Sequence, residues 1–117
     1  KRVKSKYTIS DLLWESHIKR KERNRKRGVG FGYSLVNRDA AFTRTISSRY
    51  YKDGSEILLA QPGKNPRKLT PREALRLQGF PEHFVMPVSD NQAYKQVGNA
   101  VPVNVVREIA KEMIKYL

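Results

Sequence analysis

The spacing of apolar positions changes several times along this chain. Ile9, Leu12, Leu13 and Ile18 recur at helical intervals, with Ser10 or Thr8 placed to cap and Asp11 where a helix dipole favours an anion. A helix is expected from about Asp11 into the low twenties. Its continuation, Lys19 to Arg27, is polar all round and stops at Gly28, so the first half is expected to pack and the second to stay solvated. Phe31 to Val36, Ala41 to Ser47 and Glu56 to Gln61 then read as strands, the last two joined through Arg49 to Ser55 with Asp53-Gly54 as the turn. Pro62-Gly-Lys-Asn-Pro66 reads as a breaker-rich link.

Beyond the link the period returns to helical. Thr70-Pro-Arg-Glu73 is a capping box with proline at the first helical position, predicting a short helix to Gln78 that ends at Gly79. Ser89-Asp-Asn-Gln92 is a weaker box before Ala93 to Val97, which Gly98 is expected to end. Pro102 is placed to open a last helix whose Val105, Val106, Ile109, Met113, Ile114 and Leu117 form one apolar stripe. The expected fold class is α+β: a small antiparallel β unit between an N-terminal helix and C-terminal helices. Residues 1–66 and 67–117 are two functional segments of one structural domain.

Charge narrows the partners. The 117 residues carry 24 Lys plus Arg against 11 Asp plus Glu, a net +13. A chain this size buries only about 60 to 70% of its unfolded surface, so its core is modest. So basic a surface calls for a polyanion, double-stranded DNA first and a membrane surface as the rival. No apolar run reaches the roughly 20 residues of a membrane span, and no apolar h-region follows the basic N-terminus, so a cytoplasmic location is expected. There is no cysteine, hence no disulfide, thiol nucleophile or thiolate metal site. His17 and His83 are isolated and read as structural or solvent-exposed, with no metal. Lys1 to Lys6 reads as a solvated arm or strand end.

Gly28-Val-Gly-Phe-Gly-Tyr-Ser-Leu-Val36 lacks the following helix and the Lys-Ser/Thr of a phosphate loop. Its glycines fit a strand entrance where the backbone bends or something approaches closely, DNA included. In Thr43-Arg-Thr-Ile-Ser-Ser-Arg-Tyr-Tyr-Lys-Asp-Gly54, Arg44 and Arg49 have the fork that bonds guanine O6 and N7. Thr45, Ser47 and Tyr50 are suited to phosphates or base edges. The competing reading is a cross-strand pair with exposed arginines and packed aromatics.

Two blocks, Arg67-Lys-Leu-Thr-Pro-Arg-Glu-Ala-Leu-Arg-Leu-Gln-Gly-Phe-Pro81 and Gln96-Val-Gly-Asn-Ala-Val-Pro102, resemble the last two signature motifs of C5-cytosine DNA methyltransferases. The wording of the glycine-rich and Thr43 to Gly54 segments is similar to the Dcm and EcoRII-type branch, which modifies cytosine in CC-containing palindromes such as CCWGG. The resemblance implies a target recognition region between Gly28 and Lys68, with Gly30 to Ser34 (Tyr33 and Ser34 among them) and Arg44 to Lys52 entering the major groove. The basic tail, including Arg25 and Arg27, would hold flanking phosphates. It implies structural roles for Arg72 and Glu73, and an S-adenosylmethionine site bordered by Asn99, Ala100 and Val101 in the complete enzyme. The Pro-Cys nucleophile motif, Glu-Asn-Val, Gln-x-Arg-x-Arg and the Phe-x-Gly-x-Gly cofactor loop do not occur in these residues, so this chain alone is expected to be inactive and to bind no cofactor. The resemblance also implies that the last helix packs on a Rossmann-like catalytic domain; without it, self-association or intramolecular burial of the stripe is expected. An autonomous, non-enzymatic DNA-binding module is the alternative.

Overall fold

The computed structural model describes residues 2–117. Ser10 caps α1 (Asp11–Arg27) by accepting from Leu13 N at 3.2 Å, and Gly28, left-handed at φ 65°, closes it. The packed face of α1 is not the expected one. Leu12 is 80% exposed and Ile18 is exposed, whereas His17 is buried. Residues of the supposedly solvated half point inward: the Arg20 guanidinium donates to Gly32 O at 2.7 Å and to Asp53 Oδ2 at 3.1 Å. Trp14, His17, Lys21 and Asn24 share one face at i, i+3, i+4 spacing, and polar groups on that face find partners that apolar periodicity does not reveal.

The sheet is small and mixed. β1 (Leu35–Val36) pairs parallel with β2 (Leu58–Gln61), and β2 pairs antiparallel with β3 (Lys64–Lys68). The α+β class holds, but the expected pairing of Ala41 to Ser47 with Glu56 to Gln61 does not form. Ala41 to Ser47 is extended loop, and Asp53-Gly54 is not a hairpin turn: Tyr50–Asp53 forms the short helix α2, which Gly54 terminates at φ 65°. A connection long enough to carry a helix lets the strands it joins run parallel. The hairpin lies instead in the expected link, where Gly63 turns the chain at φ 65° and Pro66 sits inside β3. There a proline is tolerated because the neighbouring segment, Thr8 to Ile9, needs only its carbonyl: Ile9 N donates to Pro66 O at 3.0 Å. Lys4 to Lys6 is likewise no free arm, since Ser5–Tyr7 is a 3₁₀ turn and Lys6 Nζ lies 2.7 Å from Asp90.

The Thr70 capping box forms in full at the head of α3 (Pro71–Leu77), which gives way to Gln78 and Gly79 as expected. Glu73 serves twice, accepting from Thr70 N and from both arms of Arg67 at 2.8 and 2.9 Å. Burial pushes the Glu73 carboxyl up, but the Arg67 guanidinium and Thr70 N–H more than offset it and hold it below the ordinary carboxylate value. Arg72 donates to Phe84 O, pinning the loop after α3.

α4 (Asp90–Asn99) runs through Gly98 rather than ending there. A Cβ on Gly98 would stand 2.2 Å from Ser47 O. The glycine is there for a backbone crossing, in which the loop carrying Ser47 lies directly on the helix. Ile46, Tyr50, Ile57, Leu69, Ala74, Leu75, Tyr94 and Val97 form the core beneath that crossing. Tyr50 and Tyr94 meet edge to face at 5.2 Å, a geometry worth about 0.5 to 1.5 kcal/mol beyond burial. Pro102 is the N-cap of α5 (Val103–Ile114), one place before its expected position. No residue of α5 is buried, and Val105, Val106, Ile109, Met113 and Ile114 are each 46 to 67% exposed. No helix of the described residues is long and apolar enough to cross a membrane.

Candidate nucleic-acid interface

The glycine-rich segment folds back over α1. Gly32, at φ 83°, has its missing Cβ position 2.6 Å from Lys21 Cβ, so only glycine lets the loop lie this close to the helix. The Tyr33 ring then lies edge-on to Trp14 at 4.9 Å and under Lys21 Nζ at 4.2 Å, half-buried as a wall of the loop. Ser34 joins the sheet by its backbone, donating to Ser55 O and accepting from Leu58 N.

The second loop arrives from the other side. Its anchors are Ile46 and Tyr50, both buried, and between them Ser47 O accepts from Tyr50 N at 3.1 Å. The Ser47 hydroxyl donates to the Glu56 carboxylate and accepts from Arg49 N, so its hydrogen bonds hold the loop. Arg44, Thr45, Arg49 and Lys52 are exposed. Among the described residues neither arginine nor Lys52 has a carboxylate partner. Arg44 instead places its guanidinium 4.1 Å from the centre of the Phe31 ring, which joins the two loops. An open cavity of ≈ 200 Å³ lies beside them, lined by Phe31, Ser47, Arg49, Lys52, Asp53, Ser55 and Glu56. Its carboxylates are engaged: Asp53 by Arg20 and Ser55 N, Glu56 by Ser47.

One expected contact residue is overturned. Tyr50 is fully buried; its hydroxyl donates to Ile57 O at 2.6 Å and accepts from Leu69 N at 2.9 Å, so it reaches no nucleic acid. It sits on the first turn of an unforeseen helix, which turns the side chain inward. The basic tail is also less free than its composition implies. Arg20 is consumed internally and Arg25 is clamped bidentately by Glu22 at 2.7 and 3.1 Å, while Arg27 is exposed. Phe31, which individual residue types did not single out, lines the cavity and lies under Arg44. The glycines flanking it were the available signal.

At the far end, Asn99 and Val101 are exposed, while Ala100 O accepts from Gln78 Nε2 at 3.2 Å. They form one edge and enclose nothing, so these residues by themselves do not fit a cofactor of S-adenosylmethionine's size.

Against this geometry stand the likenesses to known proteins. The family model for C-5 cytosine-specific DNA methylase matches residues 1–115. The chain belongs to that family. It is 64% identical over its full length to the type II methyltransferase M.DsaV of Dactylococcopsis salina, and covers 33% of that protein. It is 60% identical to the type II methyltransferase M.SsoII of Shigella sonnei, again over all of this chain and 31% of the relative. It thus spans about a third of the length of the curated methylases it matches. The solved Dnmt2 methyltransferase of S. pombe superposes with a TM-score of 0.78 at 19% identity, covering 98% of this chain and 39% of that one, a likeness of fold.

Proposed function

We propose that this methylase-family chain is the DNA-recognising and C-terminal portion of a DNA (cytosine-5-)-methyltransferase of a bacterial, cytoplasmic restriction-modification system. The observation that carries the reading is the pair of loops that hold Arg44, Arg49 and Lys52 exposed and, among the described residues, without carboxylate partners on a buried scaffold. Arg44 and Arg49 read base edges of a specific site, CC-containing and palindromic. Thr45 and Lys52 contact the backbone, with Ser47, Tyr33 and Ser34 shaping the loops and Arg25 and Arg27 on flanking phosphates. The whole enzyme transfers methyl from S-adenosylmethionine to C5 of cytosine. A separate cysteine-bearing domain supplies the nucleophile and closes the cofactor site, of which Asn99, Ala100 and Val101 form one border. The bare stripe on α5 docks on that domain, and in its absence the chain self-associates through the stripe.

The test is titration of duplex DNA binding against salt. Each phosphate neutralised contributes about 0.9 to the slope of log affinity against log salt, so Lys52→Ala and Arg27→Ala should each flatten it by about that much. A wild-type slope near zero would remove the DNA reading. Adding a chain that carries the Pro-Cys motif and assaying methyl transfer separates the enzyme part from an autonomous binding module: restored activity supports the first, specific binding without rescue the second.

A further inference from the structure

We infer that Phe31 is a positioning residue for base recognition: its ring is the platform that holds the Arg44 guanidinium edge-on to DNA. The inference rests on the DNA-recognition reading above and adds to it a residue and a physical role.

The ring and the guanidinium are 4.1 Å apart, within the range of a cation–π stack. An arginine stacked on an aromatic face has its plane occupied on one side and keeps the N–H fork at its edge free, the arrangement in which it bonds a planar acceptor bidentately. Nothing else holds Arg44, since among the described residues it has no carboxylate partner and no side-chain hydrogen bond. A free arginine loses much rotamer freedom on binding; one already stacked loses less, which favours the contact that needs the fixed plane over diffuse contacts to phosphate.

The glycine-rich segment accounts for the placement of Phe31. Gly30 and Gly32, on either side of it, have φ of 64° and 83° and are pressed on Asn24 and Lys21 of α1, so the loop is anchored at both neighbours of the phenylalanine. Phe31 is nonetheless 37% exposed, with Tyr33 two residues on turned inward to Trp14. The segment thus builds a rigid aromatic shelf on the same face as Arg49 and Lys52.

The experiment uses this chain with a pool of duplexes carrying a randomised segment, sequenced before and after binding. Wild type should select a guanine whose preference disappears in Arg44→Lys, which keeps the charge but lacks the planar fork. Phe31→Leu should lower the preference at that same position by roughly 5- to 10-fold, within the range for one bidentate contact, and leave the other positions and the salt slope unchanged. Phe31→Tyr, which keeps the ring, should retain the wild-type pattern and guards against misfolding of the leucine variant. Replacing that guanine by 7-deazaguanine should weaken wild-type binding more than that of Phe31→Leu and leave Arg44→Lys unaffected. If Phe31→Leu lowers all positions equally, or leaves the Arg44 position untouched while DNA selection persists, the platform is wrong and the DNA reading stands. If the chain binds no duplex under any salt condition, both fall.

Discussion

From β3 through α4 the arginines are matched to partners and Lys68 and Lys95 lie over aromatic rings; in the loops from Gly28 to Lys52 the cations are mostly left open. Arg67 is forked on Glu73 with side-chain exposures of 16 and 26%, and Arg76 is paired with Glu82. Arg44, Arg49 and Lys52 are exposed and, among the described residues, meet no carboxylate. The two regions share the same core, since Tyr50 from the loops stacks on Tyr94 of α4 and hydrogen-bonds Leu69 N just after β3. Arg67 cannot offer its fork to a ligand without leaving the half-buried Glu73 carboxylate alone, so that pair belongs to the scaffold, whereas the unpaired cations of the loops are free to meet a ligand.

The contrast breaks most severely where the regions touch. Gly98→Ala puts a Cβ 2.2 Å from Ser47 O, and backbone on both sides leaves little room to yield. Alanine is the better helix former by about 1 kcal/mol, so a stabilised variant would show that no close crossing exists. The expected result is a loss of about 3 kcal/mol in urea-monitored unfolding, a large part of the 5 to 15 kcal/mol a domain possesses. Next in size is Arg67→Met, which strands Glu73 and should cost about 2 kcal/mol, less than a fully buried pair because both groups keep some solvent contact. Adding Glu73→Gln, which keeps an acceptor for Thr70 N, should recover part of it. Arg49→Ala, made in parallel, should stay within about 0.5 kcal/mol of wild type in stability. Equal losses in the two arginine variants would erase the distinction.

The helical half of the fold was legible because its signals are local. Ser10, Thr70 and Ser89 each cap the helix they precede, the last two with Glu73 and Gln92 three residues on. The sheet was not, because Asp53-Gly54 suits a hairpin turn and a helix terminus equally, and only the burial of Tyr50 decides between them. The same ambiguity made Tyr50 look like a contact residue. Gly98 was misread as a helix end for a related reason: a glycine required by another segment's backbone carries no local mark of that neighbour. For the candidate interface, residue type correctly identified Arg44 and Arg49 as exposed. It failed for Arg20, whose partners Gly32 and Asp53 belong to distant loops.

The smallest expected effect tests where α1 joins the loops from Gly28 to Gly54. His17 is buried; its Nδ1 faces Arg20 Nη2 at 3.1 Å and its Nε2 faces Asp53 O at 3.4 Å. An arginine can only donate, so Nδ1 must accept and the ring is neutral with its proton on Nε2. Burial lowers the imidazole pKa, Asp53 opposes this and Arg20 adds to it, with the net result below the ordinary value of 6.5. The unfolded chain therefore binds the proton first. Stability from this contact is complete above pH 6.5 and is lost as pH falls from there toward the lower folded value. The depressed carboxyls of Asp53, Glu73 and Asp90 act in the same direction, but only below their ordinary values of 3.8 to 4.5, which leaves a window near pH 6 to 5 for the histidine. In that window wild type should lose stability on acidification, whereas His17→Gln, unable to titrate, should change less. Parallel pH profiles would mean that the imidazole is not held neutral and that α1 is tied to the loops by Arg20 and the glycine contacts alone.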